Sequence, residues 1–144
     1  MSASKKNLLF AIVIILAVTA YTLLGGKGGT GFSLTDDVLT IRGPEDYSFS
    51  VPCADIADIS LAEDFDPGLC VSGGSNRKSC WGTWQNAELG EYALCMLNAI
   101  NDCIIVTDTA GQHYAFNLES ERTTNDFVPS FREYLDTLTA KTEE

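Results

Sequence analysis

From Leu8 to Leu24 the chain runs seventeen residues without a charge, LLFAIVIILAVTAYTLL. A helix of that length reaches about 26 Å, the short end of a bilayer span. So uniform an apolar segment does not belong to the surface or the edge of a small domain, and whatever folds must do so after it. Lys5 and Lys6 precede the run and Val18-Thr19-Ala20 resembles a cleavage site, so a cleaved signal peptide competes with a retained anchor. Continuation through Tyr21-Thr22-Leu23-Leu24, with Tyr21 placed as an interfacial anchor, favours retention. Residues 1–7 then form a short basic tail and 8–24 a transmembrane helix. Two lysines before the run and only Lys27 close behind it point to an extracytoplasmic domain on a single-pass membrane protein.

Residues 25–31, Gly-Gly-Lys-Gly-Gly-Thr-Gly, read as a flexible linker. They are not a phosphate-binding loop, since no strand precedes them and no Gly-Lys-Ser/Thr follows. Beyond this point the charge balance is extreme. Three of nine basic residues (Lys5, Lys6, Lys27) precede the first acid, Asp36, which leaves six against twenty, a net charge of −14 over residues 28–144. A body this acidic repels nucleic acid and anionic headgroups.

Past the linker, apolar and polar residues alternate in short runs separated by turn residues, the pattern of half-buried strands. Seven such runs are Val38–Arg42, Tyr47–Val51, Asp55–Leu61, Cys80–Gln85, Tyr92–Leu97, Cys103–Thr107 and His113–Leu118. Phe32-Ser33-Leu34 extends the first or adds an eighth. The Gly/Ser-rich stretch Val71 to Ser79 reads as a loop. The period then changes: Phe127, Phe131, Tyr134, Leu135 and Leu138 form one apolar stripe of a helix. Asn125 or Asp126 is its expected cap, with Pro129 in the first turn, where a missing N–H costs little.

Several local pieces resemble the bacterial PH-domain (pleckstrin-homology-like) family: Leu39-Thr40-Ile41; Val51-Pro52 followed by Asp55-Ile56 and Ile59-Ser60-Leu61; Gly82-Thr83; Gly90-Glu91-Tyr92; and Tyr114-Ala115-Phe116-Asn117 leading to Thr123-Thr124 and Phe127. The resemblance covers residues 32–139, with 140–144 left as a tail. It implies a mainly β fold, a PH-like barrel of about seven antiparallel strands capped by a C-terminal α-helix, and a binding or scaffolding role. It supplies no catalytic residues. The phosphoinositide-binding members of the wider fold use a basic cluster near the first hairpin, where this chain has Arg42 among Asp36, Asp37, Glu45 and Asp46, so a phosphoinositide headgroup is not the expected ligand.

The residues give little catalytic signal. His113 is the single histidine, and neither a nucleophile elbow nor a metal-binding spacing accompanies it. Asp55 and Asp58 are three apart on a strand and so face opposite sides. Asp64 and Asp66 suit a turn better than a calcium loop. No catalytic, cofactor or metal site is expected. The five cysteines contain no Cys-x-x-Cys. In an external domain Cys95 with Cys103, flanking a hairpin, and Cys70 with Cys80, bracketing the Gly/Ser loop, are candidate disulfides; buried free thiols are the equal alternative. Arg77 and Lys78 are the only adjacent basic pair beyond the anchor, a candidate interaction point or a solvated loop tip.

The expected function is a membrane-tethered, non-enzymatic module engaging a protein or peptide partner. The alternatives are a cysteine-dependent redox or other enzyme, and a structural subunit associating through its membrane helix.

Overall fold

The computed structural model describes residues 31–142. The expected membrane helix at 8–24, the tail before it and all but the last residue of the glycine linker lie outside them. Among the described residues no helix is long and apolar enough to cross a membrane.

The described residues form nine strands and one helix: β1 Gly31–Thr35, β2 Val38–Arg42, β3 Ser48–Pro52, β4 Ile56–Ala62, β5 Leu69–Ser75, β6 Ser79–Asn86, β7 Gly90–Leu97, β8 Cys103–Asp108, β9 His113–Phe116 and α1 Glu121–Thr142. Strands β1-β2-β3 make an antiparallel three-stranded sheet, and the other six make a second sheet in the order β4-β8-β9-β7-β6-β5. The architecture is therefore mainly β with one C-terminal helix. The expected single barrel of about seven antiparallel strands is corrected on two points. The two sheets are not closed into a barrel, and β9 inserts between β7 and β8, running parallel to β7 with Leu94 opposite Ala115.

Both faces of the larger sheet are apolar, which is why β8 reads as the unbroken run Cys-Ile-Ile-Val rather than alternating. One face carries Ile59, Cys95, Ile104, Val106 and Phe116, covered by Phe32, Leu39 and Ile41 of the small sheet and by Phe127, Val128, Phe131 and Tyr134 of α1. The other carries Cys80, Trp84, Tyr92, Leu94, Met96, Cys103, Ile105 and Ala115, with Phe65 packed on it. That residue belongs to the link 63–68, which joins the two opposite edge strands β4 and β5. Phe65 stands edge-on to Tyr92 with centroids 5.8 Å apart, its N–H bonds the Asn101 carbonyl at 2.8 Å, and the Tyr92 hydroxyl donates to the Pro67 carbonyl at 2.6 Å.

The β1–β2 turn places Asp36 and Asp37 at φ 52° and 59°, the two-residue geometry whose twist matches paired strands and which short polar side chains tolerate. Tyr134 of α1 donates to the Asp37 carboxylate at 2.8 Å and Arg132 donates to the Ile59 carbonyl at 2.6 Å, so the helix is tied to both sheets.

The helix begins earlier than its stripe suggests. Ser120 is the cap: its Oγ accepts from the Thr123 N–H at 3.1 Å, and the Thr124 hydroxyl donates to the Ser120 carbonyl at 2.8 Å. Pro129 consequently lies inside α1, where it removes the bond to the Asn125 carbonyl at a cost of about 3 kcal/mol. Burial of Phe127, Val128 and Phe131 on either side offsets that cost.

Candidate functional site

β5 is an edge strand, paired only with β6 among the described strands. Its seven residues, Leu-Cys-Val-Ser-Gly-Gly-Ser, contain no charge, and all but Gly74 are exposed. Leu69 is 70% and Val71 49% exposed, and they are the exposed large hydrophobic residues of the described chain. Proteins ordinarily blunt such an edge with lysine, proline, a bulge or a cover; among the described residues the one such device is a bulge between Cys70 and Ser72.

Glycine makes this strand possible. Gly73 and Gly82 are cross-strand partners at φ +116° and +108°, and a Cβ on Gly82 would stand 2.1 Å from the Ser72 carbonyl oxygen. The two backbones thus meet at a separation that side chains forbid. Next to them the Trp81 ring covers Gly74, whose added Cβ would lie 2.9 Å from the ring. Trp84 faces the other side, buried, with its indole N–H donating to the Trp81 carbonyl at 3.0 Å.

The two ends of β5 carry opposite charge. Before it, Glu63, Asp64, Asp66 and Glu88 border a shallow groove of about 210 Å³ that Phe65 and Asn86 also line. After it, the turn to β6 holds Arg77 and Lys78 exposed. Asn76 Oδ1 accepts from the N–H groups of Lys78 and Ser79 at 2.8 and 2.9 Å, and Asn98 Nδ2 donates to the Asn76 carbonyl at 3.1 Å. The two cations therefore project from a pinned turn, and among the described residues neither forms an ion pair; the pair present is the exposed Arg122–Asp126 contact on α1.

All five cysteines are free thiols. Cys95 and Cys103 do not flank a hairpin, because β9 separates their strands, and they lie in the packing of opposite faces of the sheet. Cys70 is opposite Trp84 while Cys80 is opposite Ser75, so the two thiols of the second candidate pair are offset along the ladder. Burial pushes the thiols up: Cys53 to about 11, with the Asp37 charge adding, and Cys95 to about 12. Cys80 and Cys103 also shift upward through burial. Cys70 alone is exposed.

His113 is half-buried, with Nδ1 2.8 Å from the Thr107 hydroxyl. Its neighbour Asp108 is engaged elsewhere: the Gln112 N–H holds its carboxyl below the usual range, helped by the Tyr114 hydroxyl at 3.1 Å. Asp55 and Asp58 are both exposed, Asp55 in the 3-10 turn before β4 and Asp58 on the strand. No group of three or more metal-ligating side chains gathers among the described residues.

Sequence reasoning reaches Arg77 and Lys78 but misses the strand they terminate. The signal available was Leu69-Cys70-Val71, three apolar residues ahead of the glycines, which the Gly/Ser composition masks. Compared with protein-family models, with characterised proteins and with solved structures, the chain matches none.

Proposed function

We propose that the chain is a non-enzymatic, membrane-tethered binding module that takes up an extended protein segment along the free edge of β5. The observation that carries this reading is the uncharged edge strand with Leu69 and Val71 exposed. Unpaired N–H and C=O groups supply affinity to an added strand, and flanking apolar side chains supply its specificity. The tether and the external placement rest on residues 8–24 and the lysines around them. Kinship with bacterial PH domains would rest on the last strand leading into a helix that covers the sheets; the open sheets and the parallel β7–β9 pair speak against it.

The cysteine-enzyme reading is the weaker one, because the thiolate is the reactive form and burial drives four of the five thiols away from it. The strand-addition reading is tested by selecting displayed extended peptides on the full chain in detergent and counter-screening on Val71→Lys. Peptides that bind and are lost on the variant support it. Binders indifferent to Val71→Lys, or none at all from a monomeric chain, overturn it.

A further inference from the structure

We propose that the occupant of the β5 edge is a second copy of this chain, paired antiparallel about a two-fold axis near the middle of the strand. The inference rests on the strand-addition reading and names its partner.

Charge placement selects this occupant. The body carries −14 over residues 28–144, with only six basic residues, and two of the six stand together at one end of β5 while an acidic groove lies at the other. Antiparallel self-pairing brings each end onto its complement twice, as an isologous interface requires. With the axis at Cys70, Val71 or Ser72, the Arg77-Lys78 turn of one copy lies beyond the first residue of β5 in the other, on the side where Asp66, whose carbonyl accepts from the Asn86 amide, leads into the strand. That is the end of the strand where Asp66 and Glu88 border the groove. Parallel pairing would instead stack cation on cation and acid on acid, and another acidic partner would satisfy only the basic end.

The middle of the strand is self-complementary for a different reason. It has no charge to repel its own copy. With the axis at Cys70, Leu69 falls opposite Val71 of the second copy, and with the axis at Val71 that residue meets itself, so exposed apolar side chains exchange solvent for each other. A pairing of seven residues is small beside standard protein interfaces, so the association belongs to the weak class.

Cys70, the exposed thiol, reports the pairing without taking part in it. On any of these axes the two Cys70 side chains lie within about 14 Å, four residues or fewer along the strand and one strand spacing across. The full chain in non-ionic detergent is examined by light scattering and by crosslinking with a bismaleimide of that span, with Cys70→Ser as control. The expected result is a dimer that crosslinks through Cys70 and is lost in Val71→Lys, a change at an exposed position that leaves the urea midpoint in place.

Charge reversal gives the sharper arm. Arg77→Glu with Lys78→Glu, and separately Glu63→Lys with Asp64→Lys and Asp66→Lys, should each weaken self-association by at least about tenfold. Mixing the two variants should restore it as a crosslinked heterodimer, because both ends then meet opposite charge. A chain monomeric to about 100 μM overturns self-pairing, as does a dimer indifferent to Val71→Lys and to both reversals, which would point to association through residues 8–24. A monomer that still selects Val71-dependent peptides overturns self-pairing and leaves strand addition standing; a monomer that selects none overturns both.

Discussion

Removing the Phe131 ring tests whether α1 is a structural lid on the sheets. Phe131 is 1% exposed, stacks on Phe127 at 5.0 Å and lies 5.6 Å from Tyr134. A buried phenylalanine withdraws about 150 Å² or more from water, and at about 25 cal/mol per Å² its loss amounts to roughly 4 kcal/mol. The cavity left between α1, Phe127 and the sheet keeps Phe131→Ala in the range of about 3–5 kcal/mol, because the neighbouring rings are themselves held by packing and collapse only partly. For a domain of total stability about 5–15 kcal/mol this is a large share. Half-buried Leu135 should lose less, about 2 kcal/mol on replacement by alanine. Exposed Glu133 should change by no more than about 0.5 kcal/mol. Urea titration of the full chain, followed by tryptophan fluorescence with the slope checked for constancy, reads all three. The reasoning fails if Phe131→Ala stays within about 1 kcal/mol of wild type or matches Glu133→Ala, since α1 would then be a detachable element and not part of the core.

Three further outcomes follow from the same geometry. Native protein should show one fast-reacting thiol, lost in Cys70→Ser, and five after denaturation; two or more fast thiols would mean the sheet faces are open. Stability should decline as pH rises above 9, because buried Cys53 and Cys95 keep their protons in the folded chain up to about 11 and 12. The unfolded chain releases them near the ordinary value of 9.0, so the contribution is complete below that pH and disappears through the raised values. A flat urea midpoint between pH 9 and 11 would contradict it. Gly82→Ala should detach β5, since it forces both a positive φ and a Cβ clash with the Ser72 carbonyl. Amide exchange across 69–75 should accelerate while β8 stays protected, and unchanged exchange in β5 would refute the close backbone approach.

Seven of the nine strands and the helix are written locally, in period-2 alternation and in the Phe127–Phe131–Tyr134–Leu135–Leu138 stripe, because each residue's neighbours along the chain determine which face it shares. The basic pair of the candidate site is legible in the same way. The strand beside it is not: glycine disfavours β structure on its own, and residues 69–75 become a strand only because Gly73 can meet Gly82 at a distance no side chain allows. Helix onset is a milder case, since Ser120, Asn125 and Asp126 are all capping residues and the folded chain gives the cap to Ser120, which accepts from the Thr123 N–H. Strand order is the furthest from local reach. Alternation assigns residues to faces but does not say which strand lies beside which, so the placement of β9 between β7 and β8, and with it the separation of Cys95 from Cys103, comes from long-range pairing. The same pairing puts β4 and β5 at opposite edges and draws the acidic link 63–68 to the start of an exposed strand whose far end is basic. Composition supplied the charges. Their arrangement around one free edge exists only once the sheet has formed, because it is made by backbone hydrogen bonds between residues distant in the chain.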